Sequence, residues 1–153
     1  MVLLKDVLTD LKKEFDFTLL IIGDAEFKME GIDVIALPWK GETEVTDLLK
    51  MDIGLYPLPD EPWVYGKSGL KALQYMALGT PTIAAAIGAN FRIIQNGKNG
   101  FLVKTDEEWK NALRELITSE DLRKRMGTAG RKTVVDYFSL HANKKKYIEV
   151  LMK

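Results

Sequence analysis

The sequence predicts an α/β domain, Rossmann-like and three-layered, with a mostly parallel sheet of about five strands. Short apolar runs typical of buried parallel strands alternate with segments whose apolar residues recur at helical spacing. Turns rich in glycine and proline separate these segments, and no repeat, low-complexity tract or linker divides the chain. Because alternating strands and helices form parallel sheets, residues 1–153 are expected to be a single domain.

The strands are predicted from five apolar segments. The first, FTLLIIG, is closed by a glycine, and the third, MDIGLYPLP, is stopped by prolines, which cannot donate to a sheet ladder. A parallel crossover usually takes about a dozen residues or more, so the short connection between the first two strands is either very tight or joins strands that are not parallel neighbours. The predicted strands are residues 17–23, 32–38, 51–59, 81–86 and 101–103.

The helices are predicted from apolar spacing and from capping residues. Thr105 and Glu108 have the spacing of a capping box, and Ser119 precedes two acidic residues that favour a helix N-terminus. Ser139 is expected to cap a terminal helix over residues 140–152. The other predicted helices cover residues 2–11, 42–50, 68–78, 88–96 and 106–117.

Charge and composition argue against several classes of protein. The 22 basic and 22 acidic residues give a net charge of zero, whereas nucleic-acid binders normally carry a basic excess. The absence of cysteine excludes disulfides and thiolate metal sites, and no grouping of acids and histidine has the spacing of a metal site. The apolar runs are too short to span a membrane and the N-terminus lacks a signal-peptide layout, so a cytoplasmic location is expected.

The stretch YGKSGLKALQYMALGTPTI predicts a binding site for an anion. A helix N-terminus exposes unpaired N–H groups and carries about half a positive charge. Lys67, Lys71 and Gln74 are spaced to line one stripe of the helix that follows the glycines. The alternative is an exposed turn followed by a solvated helix face, and the pattern is not a Walker A loop. The residues expected to contact a phosphorylated ligand are Gly66, Lys67, Ser68, Gly69, Leu70 and Lys71, with Gln74 further along the helix.

The segment from residue 51 to residue 103 resembles the donor-binding, C-terminal domain of retaining GT-B glycosyltransferases, the glycosyl transferases group 1 family. QYMALGTP is similar to the family's Glu-Ala-Met-Ala-x-Gly-x-Pro, and NGKNGFLV is similar to its Gly-Leu-Leu-Val ending. The resemblance implies one half of a GT-B fold. It also implies an enzyme that moves a sugar from a nucleoside-diphosphate sugar to an acceptor, without a cofactor or a metal.

The same resemblance implies roles for single residues. In the family, a Glu-x7-Glu pair flanks the helix start, and the second glutamate bonds the ribose; Gln74 stands at that position. The first glutamate of the pair falls on Gly66, so the sugar contact is expected from Asp60 or Glu61. Base or sugar contacts are also expected from Trp39 and Lys40, which follow the second predicted strand, although Trp39 packed as a structural aromatic is the alternative.

Some parts of the family pattern are not matched here. The family's first strand lies between the strands that match residues 17–23 and 51–57, and its loop carries an Arg and a Lys that bind the diphosphate. We expect these two strands either to pair directly or to borrow a strand from another copy of the chain. The further expectations are five strands, a homodimer, a separate acceptor domain or subunit, and little transferase activity from this polypeptide alone.

Two other classes of function remain open from the sequence. The first is a non-catalytic nucleotide-binding or interaction module left from a glycosyltransferase. The second is a receiver-like signalling domain, which is disfavoured because no cluster of aspartates follows the predicted strands. The single histidine, His141, lies in the terminal helix and is expected to be a surface residue.

Overall fold

The structure is a computed structural model that describes residues 1–152. A 3₁₀ turn spans Val2–Leu4, another spans Pro62–Gly66, and a π-helical turn spans Val134–Phe138. The strands are β1 (Thr18–Ile22), β2 (Asp33–Leu37), β3 (Gly54–Tyr56), β4 (Thr82–Ala85) and β5 (Phe101–Val103). The helices are α1 (Lys5–Lys12), α2 (Glu44–Leu48), α3 (Leu70–Ala77), α4 (Asn90–Ile93), α5 (Asp106–Thr118), α6 (Glu120–Thr133) and α7 (Leu140–Leu151).

The α/β prediction is confirmed, and the described residues form the expected five strands. Every strand pair is parallel: β1 pairs with β2, and β4 lies between β3 and β5. The connection from β1 to β2 is therefore the tight crossover. Met29 and Ile32 of that connection are buried, so apolar side chains anchor it in place of a helix.

Helices cover both faces of the three-stranded sheet. Ile83 and Ala85 of β4 belong to one apolar cluster with α1 and α5, whereas Ala84 belongs to another with α3 and α4. Successive side chains of a strand point to opposite faces of its sheet. The alternation along β4 therefore places this sheet in the middle of three layers.

Of the two alternatives expected for β1 and β3, direct pairing is wrong, whereas a strand borrowed from another copy stays a prediction. The two strands belong to separate sheets, and a cavity of about 650 Å³ is lined by residues from both. Asp10 of α1 pairs with Lys110 of α5 (2.5 Å), and Glu14, just after α1, pairs with Arg114 of α5 (2.9 Å). Helix α5 also packs against β4 and β5, so α1 and the three-stranded sheet contact the same helix.

The helix caps predicted from the sequence are confirmed. Thr105 and Glu108 make both hydrogen bonds of a capping box at α5. The side chains of Ser119 and Ser139 accept bonds from the third residue of α6 and of α7, respectively. None of the helices found between residues 1 and 152 combines the length and the apolar character that a membrane crossing requires.

Candidate functional site

The backbone at the start of α3 depends on Gly69. This residue is the N-cap of the helix and has a left-handed conformation, with φ +77°. A Cβ atom added at Gly69 would clash with the Cδ1 atom of the buried Ile93 and lie 3.3 Å from the Oδ1 atom of Asn90. A Cβ atom at Gly66 would meet nothing within 4 Å. The tight turn therefore requires glycine at Gly69 and not at Gly66.

The charges at the start of α3 are those of an anion site. Among residues 1–152, no side chain caps this helix, and its first turn contains no acidic residue. Lys71 lies in the first turn instead, and the Nζ atom of Lys67 lies 4.8 Å from the ring centroid of Trp63. A cation is unfavourable beside the positive end of a helix dipole. Positive charge at this end is therefore suited to a negatively charged ligand.

Glu44, at the first position of α2, connects the predicted site residues. Its Oε1 atom accepts hydrogen bonds from the Nε1 atom of Trp39 (3.1 Å) and the Nε2 atom of Gln74 (3.0 Å). The Nζ atom of Lys71 lies 3.7 Å from the same oxygen. The Trp39 hydrogen bond, followed by that from Gln74 and by the charge of Lys71, lowers the pKa of Glu44 below its usual range. Glu44 is therefore a carboxylate at neutral pH.

The structure brings together three of the residues predicted from the sequence, Trp39, Lys71 and Gln74, and adds Glu44, which the sequence analysis missed. Glu44 is one of 22 acidic residues and belongs to no motif. Its signal was its position shortly after β2, because ligands of parallel α/β sheets bind beyond the carboxyl ends of the strands. The Oε1 atom of Gln74 is buried and has no hydrogen-bond partner among the described residues. It is an unpaired acceptor that is covered by the protein in this conformation.

The other predicted contacts are held within their own loops. Asp60 accepts a hydrogen bond from the hydroxyl of Tyr65 (2.9 Å), and Glu61 accepts one from the indole of Trp63. Lys40 is exposed, and its carbonyl oxygen accepts a bond from the backbone of Thr43 (3.2 Å). The structure therefore does not join these three residues to the cluster around Glu44.

The side chains of Ser68 and Leu70 are exposed beside the helix start, as a contact with a ligand would require. Within residues 1–152, no three His, Asp or Glu side chains are grouped so as to hold one metal ion. The site as described consists of a basic helix N-terminus and, next to it, an indole, a carboxylate and an amide.

The sequence and the fold of the chain match known proteins. The family model for glycosyl transferases group 1 matches residues 2–133. An uncharacterized glycosyltransferase of Methanocaldococcus jannaschii is 30% identical over 139 residues, which cover 83% of this chain and 38% of that protein. The chain therefore spans about two fifths of the length of this relative.

Solved structures show the same fold at low sequence identity. HepE of Anabaena, crystallised with UDP and glucose, matches this chain with a TM-score of 0.79 and 17% sequence identity. The alignment covers 99% of this chain and 44% of the HepE chain. A second match is the C-terminal domain of a glycosyl transferase group 1 family protein from Francisella tularensis, with a TM-score of 0.62 and 20% sequence identity. The alignment covers 90% of this chain and 77% of that domain's chain.

The fold and the family model together define the class: the chain is a C-terminal-type domain with a fold similar to that of GT-B glycosyltransferases. It belongs to the glycosyl transferases group 1 family. The resemblance drawn from residues 51–103 is thereby confirmed for the family and for the fold.

Proposed function

We propose that this chain is the donor-nucleotide-binding domain of a retaining glycosyltransferase that uses a nucleoside-diphosphate sugar. One observation carries the proposal: the uncapped, basic N-terminus of α3 lies beside the cluster of Trp39, Glu44 and Gln74. The two parts offer groups for the phosphates and for the nucleoside of one ligand. HepE, which shares the fold, was crystallised with UDP, and this supports the proposal.

The diphosphate is proposed to bind over the start of α3. The backbone N–H groups of Ser68, Gly69 and Leu70 donate to its oxygens, and Ser68 adds a hydroxyl. The N–H of Lys67 already bonds the carbonyl oxygen of Val64 (2.9 Å). Lys67 and Lys71 contribute positive charge; Lys67 is exposed and lies beside Trp63, so it can turn to the ligand at little cost. A helix N-terminus with nearby cations is a common site for phosphate groups.

The nucleoside is proposed to bind over the cluster around Glu44. Glu44 offers a carboxylate, and Gln74 offers an unpaired acceptor, its buried Oε1 atom, which has to become accessible when the ligand binds. The two together can then accept both hydroxyls of a ribose. The indole of Trp39 is 56% exposed, which leaves an aromatic face available to a base. Asp60 and Glu61 remain the candidates for contacting the sugar, and Lys40 remains a candidate for contacting the base.

The proposed contribution to chemistry is electrostatic. When the bond between the sugar and the diphosphate breaks, the diphosphate leaves with the bonding electrons. An acceptor oxygen bonds to the sugar carbon and gives its proton to the departing diphosphate or to water. Donors fixed at the start of α3 stabilise the charge that develops on the leaving group. The chain spans 38% of its relative from Methanocaldococcus, so we propose that the acceptor-binding part belongs to the rest of such an enzyme and that the 153 residues alone transfer little sugar.

Calorimetry with three ligands tests the site. UDP or GDP should bind, and Gln74→Leu should weaken that binding while leaving inorganic pyrophosphate unaffected, because the substitution removes a ribose contact. Glu44→Gln is the matched variant: it keeps the shape of the side chain and removes the charge, and it should also weaken the nucleotide selectively. Equal losses for nucleotide and pyrophosphate would show that Gln74 shapes the helix, and an absence of nucleotide binding to the unaltered chain would overturn the proposal.

The proposal also includes a cytoplasmic location and a homodimer. Self-association is supported by apolar side chains of α7 that are left exposed, among them Leu140, Val150 and Leu151. Sedimentation at high protein concentration should show a dimer, and a monomer at all concentrations would count against it. Fractionation of cells that express the chain tests the location.

A further inference from the structure

We propose that the loop between β3 and α3, residues 57–67, selects the transferred sugar: it binds a neutral pyranose ring and disfavours a sugar that carries a carboxylate. The determining residues are Trp63, which offers a ring face, and Asp60 and Glu61, which offer carboxylates. The proposal rests on the donor-binding function proposed above and names the class of sugar that the site takes.

The loop is held to the body of the domain by Val64, whose side chain is 1% exposed. The N–H of Val64 donates to the carbonyl oxygen of Glu61 (3.0 Å), and its carbonyl oxygen accepts from the N–H of Lys67 (2.9 Å). The residues on either side of Val64, Trp63 and Tyr65, are 58% and 59% exposed. The anchored loop therefore presents two aromatic side chains to solvent beyond the carboxyl end of β3, where ligands of parallel sheets bind.

Each of these aromatic side chains is fixed by a carboxylate of the same loop. The indole N–H of Trp63 donates to Glu61, and the hydroxyl of Tyr65 donates to Asp60 (2.9 Å). Each carboxylate uses one oxygen for this bond, and no hydrogen bond among residues 1–152 uses the other oxygen. A side chain whose orientation is already set loses less entropy when a ligand binds. The loop thus offers oriented aromatic side chains with hydroxyl acceptors at their edges.

This combination is suited to a pyranose ring. One face of such a ring presents C–H groups that pack against an aromatic face, and its rim presents hydroxyls that donate to carboxylates. The sugar of a nucleotide sugar is bonded to the second phosphate. Lys67, a proposed diphosphate contact, has its Nζ atom 4.8 Å from the ring centroid of Trp63. The loop therefore lies where the sugar of a diphosphate bound at the start of α3 begins.

A buried amide between the loop and α3 is a second, independent indication of a hydroxylated ligand. Asn90 is 1% exposed, and its Oδ1 atom has no hydrogen-bond partner among the described residues. That atom lies 3.3 Å from the position of a Cβ atom added at Gly69, the N-cap of α3. A Cβ atom added at Gly88, two residues before Asn90, would lie 3.5 Å from the Cα atom of Tyr65.

The chemistry of this orphaned oxygen distinguishes between the parts of the ligand. A diphosphate without protons cannot donate to the Oδ1 atom of Asn90, whereas a sugar hydroxyl can. The oxygen is covered by the protein in this conformation and has to become accessible when the ligand binds. An unpaired acceptor beside an anion site therefore indicates that a hydroxylated group follows the anion.

The charge of the loop determines which sugars fit. Asp60 and Glu61 are adjacent, and the cation of the loop, Lys67, is proposed to bind the diphosphate. A uronic acid would bring a third carboxylate next to these two, and like charges at close range disfavour each other. A neutral sugar with the same ring meets no such repulsion. The loop is therefore expected to discriminate by charge, while Trp63 stacks on either ring.

Calorimetry on the 153-residue chain with UDP, UDP-glucose and UDP-glucuronic acid tests the selection. UDP-glucose should bind at least tenfold more tightly than UDP-glucuronic acid. In Glu61→Gln, whose amide oxygen can still accept from the Trp63 indole, this ratio should fall at least fivefold because UDP-glucuronic acid binds more tightly. Misfolding cannot produce such a gain of binding. The matched control is Glu115→Gln, which removes an exposed acid of α5 and should keep the ratio.

Variants of Trp63 test the stacking. Trp63→Ala should weaken UDP-glucose at least fivefold more than UDP, because UDP lacks the transferred sugar, and Trp63→Phe keeps an aromatic face and should restore most of the binding. A purely structural role would weaken both ligands equally in Trp63→Ala, and that result would remove Trp63 from the sugar site.

Methyl glucoside distinguishes the transferred sugar from an accepting sugar. If the loop holds the transferred sugar, the NMR signal of the Trp63 indole N–H should not shift when methyl glucoside is added to the complex with UDP-glucose. A shift would assign the loop to the accepting sugar and overturn the proposal.

The remaining outcomes separate this inference from the proposed function. Equal affinities of the unaltered chain for UDP-glucose and UDP-glucuronic acid, or an unchanged ratio in Glu61→Gln, would overturn the selection and leave the nucleotide site in place. If GDP binds and UDP does not, GDP-mannose and GDP-mannuronic acid replace the two UDP-sugars in the same comparison. If no ligand of either series binds, the proposed function is wrong and this inference with it.

Discussion

The N-termini of α3 and α5 differ in whether side chains satisfy their unpaired backbone N–H groups. At α5, the hydroxyl of Thr105 accepts a bond from the N–H of Glu108 (3.2 Å), and the Glu108 carboxylate accepts bonds from the N–H groups of Thr105 (3.1 Å) and Lys104 (2.5 Å). Three acidic residues occupy the first turn of α5. At α3, the cap is Gly69, the first turn has no acid, and Lys71 lies in it.

The difference separates a helix start that serves folding from one that is available to a ligand. The first N–H groups of a helix have no partner within the helix. The side chains of α5 satisfy these groups and add the negative charge that the helix dipole favours. The start of α3 lacks such side chains within residues 1–152. Lys67 and Lys71 lie there, and Glu44 meets only Lys71 and Gln74 further along the helix, so an anion would complete the helix start. The predictions below test this contrast.

The largest effect is expected at Gly69. In Gly69→Ala, the left-handed backbone costs about 1–2 kcal/mol, and the clash with Ile93 adds about 1–3 kcal/mol by overpacking. Nucleotide binding should be lost as the helix start moves. The control is Gly66→Ala, where the added methyl group meets no atom within 4 Å and stability should change by less than about 0.5 kcal/mol. Chemical denaturation measures the free energy of unfolding of both variants. An equal loss of stability in the two would show that Gly69 has no special role.

Next in size is the effect of Lys67→Ala on binding. A hydrogen bond to a charged group contributes about 1.5–3 kcal/mol, so UDP should bind roughly 10- to 100-fold more weakly. Lys98→Ala, which removes an exposed lysine from the turn before β5, is the matched control and should bind UDP normally. Titration calorimetry gives both constants. Unchanged affinity in Lys67→Ala would remove Lys67 from the site.

At α5, a change in the cap should affect stability and not binding. Thr105→Ala removes the capping hydroxyl and should lower the free energy of unfolding by about 1 kcal/mol. Thr105→Ser keeps the hydroxyl and should retain most of the stability. UDP affinity should be the same in both variants. A loss of affinity in Thr105→Ala would show that the start of α5 also affects ligand binding.

The smallest effect is a pH dependence confined to α5. Hydrogen bonds from the backbone of Lys104 and Thr105 lower the pKa of Glu108 below its usual value. A carboxyl whose pKa is lower in the folded state stabilises the fold above its unfolded pKa, and this stabilisation is lost as pH falls through the folded value. Amides in the first turn of α5 should therefore exchange faster, relative to their intrinsic rates, below about pH 4.

Glu108→Gln is the control for that experiment and should show no such dependence on pH. If the wild-type chain and the variant respond alike, Glu108 does not supply the capping charge.

Much of the fold could be predicted because its signals are local. The capping box at Thr105, the serine caps of α6 and α7 and the apolar runs of the strands each involve a few consecutive residues. The strand ends were harder to place: β3 covers Gly54–Tyr56 within a predicted segment of residues 51–59. Apolar character extends beyond the residues that pair, because loop residues on either side also pack against the core.

The candidate site was predicted in part. Helical spacing grouped Lys67, Lys71 and Gln74 on one stripe. Lys71 and Gln74 do lie on α3, but Lys67 precedes the N-cap Gly69 and has an extended backbone, so it is not part of the helix. Glu44 could not be found in this way, because it precedes Gln74 by 30 residues and has no motif around it. Asp60 and Glu61 were predicted from a family position that this sequence lacks, and the structure places them against aromatic side chains of their own loop.

The sequence by itself determined the alternation of strands and helices, the capped start of α5 and the glycine-bounded, basic start of α3. Each depends on interactions between residues a few positions apart, and these form wherever the chain adopts that local conformation. The tertiary structure alone decided that Glu44 meets Gln74 and that β1 stands apart from β3. Both depend on how packed helices fix the distances between distant segments, as α5 does when it binds α1 across 100 residues.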